Sequence, residues 1–331
     1  IASEPWAVAG VDNKPIELDE RAAAHYFALR ATEDGQTLFK NIFELLPAHV
    51  MVQTRSGSRT WRYWQPDPSI RLLGMSDGEY AEEFRSLLEE SVRCRMRSST
   101  AVGVLMSGGL DSTSIASLAA RMTAPNQLTT ISYIFDELSE CDERKYIEMV
   151  KDRWHINSIQ IPCDDAWPWK DWEHWPRNPN QPEGNPYRLI KERAYDRANR
   201  EGLRVLLTGG FGDHLYSAGV DWLADLVSEG RLLTAFKELA LYFRYEGLWT
   251  TLRSDFSKRV LRLLVDLLPG GKKLHRRSIT SQWLTSYSLS QLTNVDNKSN
   301  HSLSRHSNLL GYRAAANSSN EIFNGSCYAL D

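Results

Sequence analysis

The chain has 331 residues, with 39 basic against 42 acidic side chains and a formal charge of −3 at neutral pH. Its 42% hydrophobic content supplies a real core and argues against wholesale disorder, and the length suggests about two domains. The near-neutral balance gives no sequence-wide pull toward nucleic acid or anionic lipid, and no apolar run approaches the ~20 residues of a membrane span. Cys94, Cys141, Cys163 and Cys327 lie far apart without a CxxC pair, which predicts neither a zinc site nor a disulfide framework. The expected compartment is reducing and cytoplasmic, and no signal peptide is read at the start. Because the chain opens on Ile1 and closes on Leu330-Asp331, it is expected to be a piece of a longer gene product.

Residues 1–66 read as a small mixed unit. Leu18–Ala31 has helical spacing, and His49–Trp64 reads as a hairpin around Ser56-Gly57. Gln65-Pro66-Asp67-Pro68 reads as a linker. From Ser76 a helix is expected: Ser76 or Asp77 caps it, and Tyr80, Phe84, Leu87, Leu88 and Val92 recur every three to four residues. Strands and helices then alternate. Strands are expected at Val102–Met106, Leu128–Phe135, Asn157–Cys163 and Arg204–Thr208. Helices are expected through Ala120, over Asp142–Trp154 and over Tyr187–Arg200. This order predicts an α/β fold, a parallel sheet with helices on both faces, whose ligands bind at the carboxyl ends of the strands. Beyond Leu215 the chain turns helical, with amphipathic runs LLTAFKELALYFRYEG and SKRVLRLLVDLL. From Ser278 it is Ser- and Asn-rich with weak periodicity.

Two glycine pairs fall at strand ends. The first lies in SGGLDST, directly after the apolar run VGVLM. Gly108 and Gly109 let the backbone approach a bulky anion, and the amides of Gly108 to Asp111 can point into one concavity at the start of a helix. Ser107 and Ser112 add hydroxyl donors. A Walker A loop, GxxxxGK(S/T), is excluded because no lysine follows. Asp111 is out of place in a cradle for phosphate unless a divalent cation stands between them, which points to Mg²⁺-bound nucleotide.

The complete SGGLDS resembles the pyrophosphate loop of the N-type ATP pyrophosphatases, which cleave ATP between its α- and β-phosphates to adenylate a substrate. Within that group the chain from about Ser76 onward resembles the synthetase domain of asparagine synthetases. Residues 1–66 resemble the tail of the glutaminase domain that precedes it. The matching points are Ala2-Ser3-Glu4, TLFKNIFELLPAH and Tyr63-Trp64. The resemblance implies an adenine nucleotide α-hydrolase-like sheet preceded by a partial α+β segment and followed by a helical region. It divides the chain into 1–66, the C-terminal remnant of a class II glutamine amidotransferase-like domain, a linker at 67–77, and an ATP pyrophosphatase domain at 78–331, truncated at its C-terminus.

The second glycine pair lies in TGGFGDHL, where the family shows Ser-Gly-Glu-Gly-Gly-Asp-Glu-Leu. By resemblance, ATP and pyrophosphate are held by Leu105, Ser107, Gly108, Gly109, Leu110, Asp111, Ser112, Tyr133, Thr208 and Gly209, and Mg²⁺ by Asp111 and Asp213. Leu105 and Tyr133 also suit plain core positions. The family glutamate falls on Gly210, a family glycine on Phe211 and the second acidic position on His214, read here as a surface or capping histidine. Asp142-Glu143 match an Asp-Glu pair of the family and are read as an acidic first helical turn. No catalytic residue is assigned, and no N-terminal cysteine supports glutamine hydrolysis by these residues.

Trp167, Trp169, Trp172 and Trp175, interleaved with prolines, read as a packed loop, with a substrate-facing lid as the functional alternative. Lys272, Lys273, Arg276 and Arg277 read as a solvated helix end. The implied activity is an ATP-dependent carbon–nitrogen ligase that adenylates a carboxylate. In the parent family this is aspartate, with ammonia from glutamine. The alternatives are a lasso-peptide or β-lactam-type cyclising synthetase, acting on a short peptide or another carboxylate, and a non-catalytic nucleotide-binding remnant.

Overall fold

The computed structural model describes residues 1–247 apart from 12–14, 29–34, 66, 68–69, 71, 213–222, 224–225 and 228. The chain divides into two units. One comprises Ile1–Pro68, Pro179–Gln181 and Ser217–Ser319; the other comprises Ser69–Asn178, Pro182–Tyr216 and Asn320–Asp331.

In the first unit, α1 (Pro5–Ala9) is a short helix opened by proline, and α2 (Glu20–Phe27) starts where Asp19 Oδ1 accepts a hydrogen bond from Ala22 N at 2.9 Å. The helix expected over Leu18–Ala31 is therefore present over a shorter span, its far end lying partly outside the described residues. The expected hairpin is present. β1 (His49–Thr54) pairs antiparallel with β2 (Gly57–Arg62) in a two-stranded sheet, and most of its side chains are exposed. Asn180 belongs to this unit: its Oδ1 accepts from Trp6 N at 3.0 Å and its Nδ2 donates to Glu4 Oε2 at 2.5 Å.

The second unit opens with α3 (Asp77–Arg95). Its start is a reciprocal box in which Glu79 N donates to Ser76 Oγ and Ser76 N donates to Glu79 Oε2 at 2.7 Å. Of the apolar stripe expected here, only Val92 is buried, with Leu88 packed beside it; Tyr80, Phe84 and Leu87 are exposed. The reason is length. A 19-residue helix runs about 28 Å, whereas strands of four to six residues run about 13–20 Å, so the helix outruns the sheet.

The alternation then unfolds as read: β3 (Val102–Leu105), α4 (Leu110–Thr123), β4 (Thr129–Ile134), α5 (Arg144–Trp154), β5 (Asn157–Pro162), α6 (Arg188–Arg200) and β6 (Val205–Thr208). The four strands form one parallel sheet in the order β5-β4-β3-β6. Alternate side chains feed two cores. Val102, Val104, Met106 and Leu207 pack with Ala116 and Ala119 of α4 and Ile147 of α5. Ile131 and Ile159 pack with Ala194 and Ala198 of α6 and with Leu203. Alanines on α4 and α6 let those helices lie close to the strands, and burying each large apolar side chain contributes roughly 1.5–3 kcal/mol. In the first unit, α7 (Leu232–Glu246) lies in the stretch read as amphipathic and buries Ala235. The run SKRVLRLLVDLL and the Ser/Asn-rich stretch from Ser278 lie outside the described residues. Among the described residues, no helix is long and apolar enough to cross a membrane.

Candidate functional site

The strand order decides where a ligand goes. From β3 the chain runs outward to β4 and β5, then returns to pair β6 on the other side of β3. In parallel sheets the crevice beyond the carboxyl ends at such a reversal is the binding position. Both glycine motifs leave the sheet there, one after β3 and the other after β6. Leu105 and Thr208, the last residues of the two strands, are register partners.

The first loop is braced by its own hydroxyls. Ser107 N donates to Ser112 Oγ at 3.0 Å, the two serine oxygens are 2.9 Å apart, and Gly109 N donates to Ser107 Oγ at 3.2 Å. Ser112 is buried. The serines expected to face an anion thus also tie the turn to the first turn of α4. The first amide bonded within that helix is Thr113 N, to Gly109 O at 3.2 Å. The amides of Leu110, Asp111 and Ser112 precede it, at the positive end of the helix.

The second loop closes on the first through glycine. A Cβ on Gly209 would stand 2.7 Å from Ser112 N and 2.9 Å from Asp111 Cβ. One on Gly212 would stand 2.0 Å from Asp111 Oδ2. Only the missing side chains allow this approach, and the Asp111 carboxylate occupies the room they leave. Gly212 N donates to Gly209 O at 3.1 Å, closing a tight turn in which Phe211 has φ +68°. That conformation is uncommon for a bulky residue, and it falls where the motif of the resemblance has glycine. Gly210 N donates to Thr208 Oγ1 at 3.3 Å. Asp213 and His214 lie outside the described residues. Sequence reading missed Gly212; its signal was a third glycine two residues past the pair.

Asp142-Glu143 require a correction. α5 begins at Arg144 with no acidic residue in its first turn, and Glu143, at the cap position, makes no side-chain capping bond. Its Oε2 instead accepts from Gly108 N at 2.9 Å, and a Cβ on Gly108 would stand 2.7 Å from Glu143 Cβ. Asp142 Oδ1 accepts from Phe135 N at 3.1 Å. Both carboxylates point back to strand-end loops, because those loops present amides that no strand partner satisfies. Asp164, after β5, does the same for the amides of Asp136, Glu137 and Leu138 at 3.0, 2.7 and 3.3 Å, which hold its carboxyl below the usual range. Next to it, Asp165 takes a forked contact from Arg193 at 2.6 and 2.8 Å and one from Lys170 at 2.8 Å.

Leu105 and Tyr133 pack against the core on the α6 side. The Tyr133 hydroxyl is buried without a partner among the described residues, and burial pushes the phenol well above its usual range. In the tryptophan-rich loop, Trp169 stacks on Trp175 with ring centroids 5.8 Å apart and is tied by Trp169 N to Pro186 O at 2.8 Å. Trp167, Trp169 and Trp172 remain exposed, so the packed-loop reading holds for one side of the loop alone.

The residues present fit a nucleotide with its metal. No cluster of three or more metal-ligating side chains occurs among the described residues. Mg²⁺ does not need one, since it keeps waters and phosphate oxygens and takes one or two carboxylates. The Asp111 carboxylate, with no hydrogen bond or ion pair to a described residue, offers one at the mouth of the first glycine loop.

A four-stranded parallel sheet, flanked by helices and bearing two glycine loops at its reversal, is consistent with the adenine nucleotide α-hydrolase-like fold. The family model described as asparagine synthase matches residues 83–320, and the chain belongs to that family. It is 29% identical over 119 residues to asparagine synthetase (glutamine-hydrolysing) 3 of Bacillus subtilis, covering 36% of this chain and 19% of that one. It is 29% identical over 250 residues to carboxyethyl-arginine beta-lactam-synthase of Streptomyces clavuligerus, covering 70% and 46%. It is 23% identical over 214 residues to amidase chyE of Penicillium rubens, covering 59% and 31%. The chain spans less than half the length of each of these relatives.

Proposed function

We propose that the chain carries the ATP-binding half of an amide-forming ligase that activates a carboxylate by adenylation. The observation that carries this reading is the closure of Gly209 and Gly212 onto Asp111 and Ser112 across the reversal point of the sheet. It brings into one concavity a glycine turn suited to an anion and a carboxylate uncommitted among the described residues. In this reading Ser107, Gly108, Gly109, Leu110 and Ser112 hold the pyrophosphate end of ATP, and Leu105, Tyr133, Thr208 and Gly209 line the nucleoside. Asp111, with Asp213, holds Mg²⁺. The metal supplies charge neutralisation to the departing pyrophosphate. The loop amides orient the leaving group so that the bond to the α-phosphate faces an incoming carboxylate oxygen. An amine then attacks the acyl-adenylate and AMP leaves.

The first reading takes aspartate as the carboxylate and ammonia from glutamine as the nucleophile, and the asparagine synthetase relatives support it. A cyclising synthetase is the second reading. It is favoured by Gly210 where the family has glutamate, and by the match to the beta-lactam-synthase over 70% of this chain. Residues 1–66 are read as the remnant of a class II glutamine amidotransferase-like domain, with 67–77 as linker and 78–331 as the ATP pyrophosphatase domain. The unit boundary at Pro68/Ser69 falls within the linker of this reading. ATP–pyrophosphate exchange tests the core of the reading. Asp111→Asn is expected to abolish exchange driven by the cognate carboxylate while leaving the far-UV spectrum unchanged. Unchanged exchange sinks the metal role, and nucleotide binding without any exchange selects a non-catalytic remnant. Free aspartate and a peptide carboxylate, compared as drivers, separate the two substrate readings.

A further inference from the structure

Within the Ser107-Gly108-Gly109 turn, the Gly109 amide bonds to the loop's own Ser107, and the Ser107 amide to Ser112. The Gly108 amide is different. It donates at 2.9 Å to Glu143 Oε2, a carboxylate 35 residues away at the start of α5. The contact is built in at close range, since Gly108 has no room for a Cβ beside Glu143 and Tyr146. Glu143 gives up capping its own helix to make it. A carboxylate on a glycine-turn amide has the charge and the acceptor geometry of a phosphate oxygen. One amide hydrogen makes one strong bond, so a phosphate and Glu143 contend for the same donor.

Resting on the pyrophosphate reading above, we infer that Glu143 is a positioning residue of the anion loop: a tethered carboxylate that holds Gly108 and must yield to the polyphosphate end of the nucleotide. Once displaced it remains beside the incoming anion and repels it. Metal-loaded pyrophosphate, with part of its charge neutralised, is repelled least. Glu143 therefore tilts the loop toward the metal complex and against the free anion.

The test is calorimetric titration of the full chain with inorganic pyrophosphate, with and without Mg²⁺. Glu143→Gln keeps the shape but weakens the contact to a neutral one. It is expected to bind pyrophosphate about tenfold tighter, the size of one charge-assisted hydrogen bond, with the larger gain in the absence of metal. Glu143→Asp keeps the charge but is one methylene too short to hold Gly108, so it too should tighten binding. A purely bracing role predicts the opposite, weaker binding in both variants and an unchanged ratio of metal-loaded to free affinity; that result overturns the inference. If the wild type binds while neither variant tightens, only the role of Glu143 falls. If no form of the chain binds pyrophosphate, the anion-loop reading falls, and this inference with it.

Discussion

The hairpin of residues 49–62, with Arg59, Arg62 and Gln53 among its apolar residues, and the more apolar parallel strands of residues 102–208 end in opposite surroundings. In the hairpin, Met51, Val52 and Trp61 are exposed, and Arg59 lies over the Trp61 ring at 5.1 Å from its centroid. In the parallel sheet, Val104 and Ile131 are fully buried. Two antiparallel strands joined by a tight turn can satisfy their inner backbone bonds without a covering layer, but a sheet of that size is marginal by itself. Parallel strands need crossover helices, and those helices cover both faces. The candidate site sits on the second kind of sheet, where buried strands hold the loop ends in place.

The contrast can be broken most directly at its centre. Ile131→Ala removes a fully buried side chain between β4 and α6 and is expected to destabilise the sheet unit by about 2–5 kcal/mol, read as an early denaturant transition. A midpoint within error of the wild type would mean that the sheet does not carry its own core. The next effect separates site from scaffold. Gly212→Ala places a methyl where Asp111 Oδ2 stands, so the short side chain must swing away. Pyrophosphate exchange is expected to fall about 100-fold with little change in thermal midpoint, the scale on which ~1 Å misplacements act. Full activity would show that the Asp111 carboxylate need not be where the structure puts it. The smallest effect belongs to the hairpin. Val52→Ala should shift stability by no more than about 0.5 kcal/mol in the same denaturation assay. A larger loss would reveal a partner layer on that face.

Much of this was legible before any coordinates. The alternation from Val102 to Thr208 set the strands within a residue or two, because period-two and period-3.6 patterns are local. Ser76 with Glu79 marked the start of α3 for the same reason. The first half of that helix's apolar stripe misled, because the pattern records amphipathicity and not the length of the sheet beneath it. Glu143 misled in a similar way. An acidic residue ahead of a helix reads as dipole chemistry, and nothing within five residues of it announces an amide 35 positions upstream. The odd place of a carboxylate in a phosphate turn suggested the role proposed for Asp111, and family resemblance supplied that of Thr208, but neither pointed to Gly212.

Residue order alone thus pointed to a lysine-free glycine turn suited to an anion, a parallel α/β architecture and a resemblance to the asparagine synthase family, since each rests on neighbours in the chain. Folding decided the rest: β6 beside β3, the glycines of one loop against the aspartate of another, and Glu143 on Gly108. Those arrangements join segments dozens to about a hundred residues apart. They depend on which buried faces pack together, a question of shape and burial that no local pattern encodes.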